Sequence, residues 1–121
     1  MSFVQVVNES RKRLLGGKIR VAHSLVARMR GFMFTRPPAQ GEGLFLTSCR
    51  GVHTYWMRVP LDVLLVNDAG EVVATYPALP PGTRTAIHRA ARYALELPSG
   101  AITRTGTAIG DRLSWKPVPS A

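Results

Sequence analysis

A single cysteine, Cys49, stands in the 121 residues, so no disulfide can form within the chain. The three histidines, His23, His53 and His88, lie 30 or more residues apart. None has the close spacing of a metal-binding motif, so no structural metal and no resident cofactor is expected. Acidic residues are scarce, 7 against 16 Lys and Arg. No apolar run approaches the ~20 residues that span a bilayer, which excludes a membrane-spanning helix. The opening residues, M-S-F-V-Q-V-V-N-E-S, lack the basic and long apolar regions of a secretory leader. The expected compartment is the cytoplasm.

The composition that remains is that of a packed domain. Hydrophobic residues make up 45% of the chain, enough for one core in a single domain over residues 1–121, with residues 117–121 as a frayed tail. Gly and Pro, 11 and 9 of them, cluster between short apolar runs, the pattern of many strands joined by turns. The net charge of +9 comes mainly from 13 Arg, with only three Lys. With abundant Ala, Gly, Val and Pro, that bias is also what a GC-rich genome produces. The basic residues are scattered, and only Arg11-Lys12-Arg13 forms a run. Nucleic acid is therefore a weaker expectation than the charge alone suggests.

Hydrophobic periodicity yields seven or so strands and one helix. Phe3 to Val7 and Lys18 to Ala22 read as a hairpin turned at Gly16-Gly17. Ser24 can cap a helix in which Leu25, Met29, Phe32 and Met33 recur at helical spacing, ended by Arg36-Pro37-Pro38. Strands follow at Leu44 to Leu46 and Val52 to Met57. Leu61 to Val66, nearly all apolar, suits a central strand covered on both faces. Asn67-Asp68-Ala69-Gly70 is a hairpin turn, and Glu71 to Tyr76 returns as its partner. Leu79 to Thr85 is a loop. Arg92 to Leu97 alternates, with Tyr93, Leu95 and Leu97 on one face and Ala94 and Glu96 on the other. Pro98-Ser99-Gly100 opens a short turn or a single-turn helix, and Ile109 to Trp115 is the last strand.

The polar residues that invite chemistry concentrate in one place. His53, Thr54, Tyr55, Trp56, Met57 and Arg58 run into the apolar strand that begins at Leu61. Buried polar groups need partners, so such a cluster is a site or a structural network. Asp62 is the sharpest residue in it, a carboxylate flanked by Leu61, Val63, Leu64 and Leu65. It requires at least two donors, from the amides around Arg58 to Pro60, the Thr54 hydroxyl or Arg30. The structural reading makes Asp62 a pin at the bend before the core strand; the alternative makes it a ligand or catalytic group. Cys49 and His53 suggest a nucleophile and its base, but four residues of extended chain span roughly 13 Å, too far for contact without a sharp bend at Gly51. Gly110-Asp111 reads as structural, Gly giving a positive φ and Asp capping the turn.

These residues resemble the prokaryotic domain-of-unknown-function family numbered one hundred and ninety-two. The resemblance rests on Arg30-Gly31-Phe32-Met33, Gly43-Leu44-Phe45, His53 to Asp62, Leu95-Glu96-Leu97-Pro98-Ser99-Gly100 and Gly110-Asp111, in that order over Val21 to Trp115. The strand after Gly43 departs from the pattern by lacking a common Met. Pro80-Pro81-Gly82-Thr83-Arg84 stands where relatives often carry an aromatic beside Arg. The resemblance implies a small, mostly antiparallel, barrel-like β fold with one principal helix near the N-terminus, and it implies no activity.

The expectation is a mainly β domain that acts as a non-enzymatic binding or accessory module. Its candidate binding residues are Arg30, His53, Thr54, Trp56, Arg58 and Asp62, engaging a small anionic ligand or a protein segment. A small enzyme centred on His53 and Asp62 is the second reading. A nucleic-acid binder using the basic surface is the third.

Overall fold

A computed structural model describes residues 2–22, 38–52, 54 and 57–119. Among these residues seven strands form one sheet: β1 (Phe3–Asn8), β2 (Arg13–Ala22), β3 (Glu42–Thr47), β4 (Leu61–Asn67), β5 (Val72–Leu79), β6 (Ala91–Pro98) and β7 (Leu113–Pro117). Their order is β5-β4-β6-β3-β2-β1-β7. Every pairing is antiparallel except β2 with β3. Among the described residues the one helix is α1 (Ala101–Thr105), so the helix sits near the C-terminal end of the fold, not near the N-terminus as expected. The helix predicted between Ser24 and Phe34 lies outside the described residues.

The sheet curls until its two edge strands meet at one end. Glu71 bridges Arg112, Val72 N–H donates to Asp111 O at 2.8 Å, and Leu113 N–H donates to Gly70 O at 2.7 Å. Gly70 is required at this seam. Its φ is +87°, and a Cβ there would lie 2.8 Å from Leu113 O. Inside the curl, all seven strands contribute to one apolar cluster, which includes Val6, Ile19, Phe45, Leu64, Val72, Leu95 and Leu113 and is plugged by Ala101 and Ile102 of α1. A second cluster, with Leu44, Leu46, Val63, Leu65 and Ala94, lies on the outer face under Cys49, Val52 and Leu79. With a cluster on each side, β4 is buried from Leu61 to Val66, as a continuous apolar run requires.

Gly16-Gly17 does not form the first turn. The chain reverses at 9–12, where Asn8 Oδ1 accepts the Arg11 amide at 3.1 Å and Lys12 takes φ 56°. The two glycines lie within β2, where the register against β1 shifts twice. A bulge and a turn both favour Gly, so the dipeptide by itself does not distinguish them. Val52 to Met57 is a second correction. Val52, Thr54 and Met57 lie outside any strand, because this stretch bonds to the 80–85 loop instead of the sheet. At the far end, Pro117 still pairs with Val4 and Val118 N–H donates to Phe3 O at 3.0 Å.

Asp111 ties β1 to the turn before β7. Its Oδ2 accepts from Arg11 Nε at 2.9 Å, Asn8 Nδ2 at 3.0 Å and the Ala108 amide at 3.0 Å. Asn8 also donates to Thr107 Oγ1 at 3.0 Å, and Gly110 before it has φ 95°. The Arg11 hydrogen bond, foremost, holds the Asp111 carboxyl below its ordinary value of 3.8. Burial opposes this, while the Asn8 and Ala108 bonds and the Arg11 charge assist it. A lowered folded pKa contributes stability above the unfolded value, and that contribution is lost as pH falls through the folded one. Urea midpoints should therefore favour wild type over Asp111→Asn at pH 7, with the gap closing as pH falls below about 4. A gap that is constant with pH contradicts this role for the charge.

Candidate functional site

Asp62 is the second residue of β4 and points into the curl, on the side of Leu64 and Val66. It is 1% exposed. Its Oδ1 accepts the Ala78 amide at 2.7 Å, and its Oδ2 accepts the amides of Gly100 at 3.1 Å and Ile102 at 2.7 Å. The Ala78 donor exists because β5 bulges opposite Asp62. Leu61 pairs with Leu79 and Val63 with Tyr76, so Pro77 and Ala78 together face one residue. Ala78 consequently sits at φ 49°, a strained conformation for alanine. The other two amides belong to the first turn of α1, whose N-cap, Gly100, has no side chain to offer. Asp62 supplies the cap from another strand. None of the donors named from the sequence is among these three.

Thr54 belongs to a separate network outside the sheet. It is 1% exposed. Its hydroxyl lies 2.6 Å from Pro80 O and accepts the Thr83 amide at 3.1 Å, while its backbone bonds Thr83 O and the Gly82 amide. Arg58 is exposed. Arg30, His53 and Trp56 lie outside the described residues. The structure thus separates the described candidates: Asp62 is committed inside the curl, Thr54 fastens two loops together, and Arg58 reaches solvent. Among the described residues no group of three His, Cys, Asp or Glu could hold a metal ion, and no helix is long and apolar enough to cross a membrane.

Two loops that the sequence reading did not connect run side by side over the outer face. Cys49 N–H donates to Arg92 O, His88 N–H to Arg50 O, Thr85 N–H to Val52 O and Thr54 N–H to Thr83 O, all at 2.8–2.9 Å. Arg50 and Arg58 on one loop, Arg84 and Arg89 on the other, and Arg92 where that loop enters β6 are all exposed. No Asp or Glu occurs between Gly43 and Leu61, or between Val72 and Leu95. Five of the thirteen arginines therefore stand exposed on two hydrogen-bonded segments that carry no exposed acid, at positions up to 42 residues apart. No local charge run announces it.

Beneath these loops lies a second buried carboxylate. Glu96 in β6 is fully buried, and its register partners are Leu44 and Val63 of the outer cluster. The same row continues to Arg20 beside Leu44 and to Tyr76 beside Val63. Tyr76 and His88 are half-buried and joined at 2.7 Å between Oη and Nε2. Glu96 was not singled out from sequence, although the argument that singles out Asp62, a carboxylate between apolar neighbours, applies equally to Leu95-Glu96-Leu97.

The model of the DUF192 family, described as uncharacterized, matches residues 6–115. A UPF0127 protein of Pyrococcus furiosus is 29% identical over 113 residues, which cover 91% of this chain and 97% of that one. A crystal structure from Sinorhizobium meliloti, provisionally described as a transcription regulator, superposes with TM-score 0.76 at 26% identity, covering 94% of this chain and 92% of the other. A protein of unknown function from Novosphingobium aromaticivorans shares the fold with TM-score 0.78 at 20% identity, over 93% of this chain and 84% of that one.

Proposed function

The chain belongs to the DUF192 family, and we propose that within it this protein is a non-enzymatic binding module for anionic ligands. The binding surface is the pair of bonded loops over the outer face, and the ligand is a small anion or an acidic segment of a protein. The observation that carries this reading is that five exposed arginines stand on or beside two hydrogen-bonded loops, with no acidic residue in either loop. Guanidinium groups recognise carboxylate and phosphate oxygens through paired N–H donors, and nearby acids would compete for them. Binding through these loops is compatible with Asp62, whose oxygens are already occupied, in a purely structural role. The cytoplasm is the compartment proposed for it.

Thermal shift with inorganic phosphate and with citrate tests the reading. At ten times Kd an anion should stabilise the fold by about 1.4 kcal/mol, a rise of roughly 3–6 °C. Arg84→Ala/Arg89→Ala should keep the unliganded melting temperature, because both side chains are exposed, and lose most of the rise. An equal rise in the double variant removes the loops from consideration. Nucleic acid is the competing polyanion; binding to it alone, falling steeply with salt, would replace this reading with the third.

A further inference from the structure

Resting on that reading of the loops as an anion-binding surface, we infer that the small anion is the phosphate headgroup of an anionic lipid surface, with Ile87, between Arg84 and Arg89 in the chain, as the apolar contact. Ile87 is 74% exposed, more than Ile109 at 66% or Leu14 at 49%. Single exposed apolar residues are ordinary on protein surfaces, so exposure alone argues nothing. Its surroundings distinguish Ile87. Exposed Arg84 and Arg89 stand within three residues of it, and its immediate neighbour Ala86 is exposed and uncharged. Ile109 lies two residues from the carboxylate of Asp111, and Leu14 follows Arg11-Lys12-Arg13, of which Arg11 is already paired with Asp111 at 2.9 Å.

The second loop meets Ile87 directly. A Cβ on Gly51 would lie 3.2 Å from Ile87 Cδ1 and 2.9 Å from Ala86 O. Only glycine allows this approach, which brings Ile87 against the loop that carries Arg50. The platform is also held from below, where Thr85 Oγ1 accepts the Val52 amide at 3.1 Å and donates to Ala86 O at 2.8 Å. An exposed apolar tip with an exposed arginine on either side of it in the chain matches the interface of a bilayer. There, lipid phosphates meet the arginines, and the acyl boundary lies a few ångströms deeper. A free phosphate or a nucleic-acid backbone engages the arginines but gives the isoleucine nothing to bury against.

Co-sedimentation with phosphatidylcholine vesicles, with and without phosphatidylglycerol, tests this on the whole chain. Wild type should pellet with the anionic vesicles and not with the neutral ones. Ile87→Ser should lower the partition coefficient about tenfold while keeping its thermal response to inorganic phosphate. Ile87→Leu should bind like wild type, which controls for loop disruption. Each arginine changed to alanine should lower it about fivefold. Wild type that stays in solution with anionic vesicles, yet is stabilised by phosphate, overturns the lipid assignment and leaves anion binding standing. Partition unaffected by Ile87→Ser also overturns it, as does an oligonucleotide that binds wild type more tightly than the vesicles do. A protein that answers neither vesicles nor phosphate overturns both readings.

Discussion

Asp62→Asn is expected to destabilise the fold by about 2–4 kcal/mol at neutral pH. The substitution is nearly isosteric, so the loss comes from hydrogen bonding rather than packing. Asp62 accepts three backbone amides, two of them at 2.7 Å, in a site that is 1% exposed. Bonds to a charged acceptor are worth roughly 1.5–3 kcal/mol each before the cost of burying the charge is subtracted. An asparagine retains one oxygen and turns an NH2 group toward donors, leaving at least one amide facing another donor. The affected groups are the bulge at Ala78 and the first turn of α1, so the change should also loosen residues 98–106. Urea unfolding gives the magnitude, and amide exchange of Ile102 gives the location. An unchanged midpoint would mean that the carboxylate is dispensable to the fold and would redirect attention to Asp62 as a functional group.

Leu64→Ala should cost about 2–5 kcal/mol. Leu64 is completely buried at the middle of β4 and pairs in register with Leu95 of β6 and Thr75 of β5. Its side chain lies in the cluster fed by all seven strands, where α1 closes the interior. Truncation therefore leaves a cavity whose walls belong to several strands, and collapse around it is restricted. Chemical denaturation measures the cost. A loss below about 1 kcal/mol would mean that the interior relaxes into the gap and that β4 is not the stiff centre of the sheet.

The elements legible in the sequence were those whose residues carry their own reasons. Leu61 to Val66 is apolar at consecutive positions, which only a strand covered on both sides accommodates. Asn67 reveals its turn because its own Oδ1 accepts the Ala69 and Glu71 amides at 3.0 and 2.9 Å. Asp62 was legible as a group in need of donors, but the donors were not, since they arise from a bulge 16 residues away and a helix start about 40 residues away. Gly16-Gly17 was misread because a bulge and a turn ask for the same residue. The arginine surface was illegible for a different reason. The segments that carry it are joined by backbone bonds of Cys49, Arg50, Val52 and Thr54 to residues between Gly82 and Arg92, and nothing in local periodicity encodes such a pairing. The helix near residue 101 was foreseen only as an alternative to a turn, because five residues are too few to display a helical stripe.

The neighbour relation of β1 and β7 bears on how the protein is made. Phe3–Asn8 is synthesised more than 100 residues before Leu113–Pro117, yet they lie side by side over five register pairs. Until the final strand arrives, the outer edge of β1 presents open hydrogen-bonding groups, and the seam at Gly70 has no Leu113 to receive. The nascent chain therefore carries an exposed edge and an unsealed apolar interior until β7 has been made. Closure is a late, long-range event, and the slow folding of non-local β topologies follows from it.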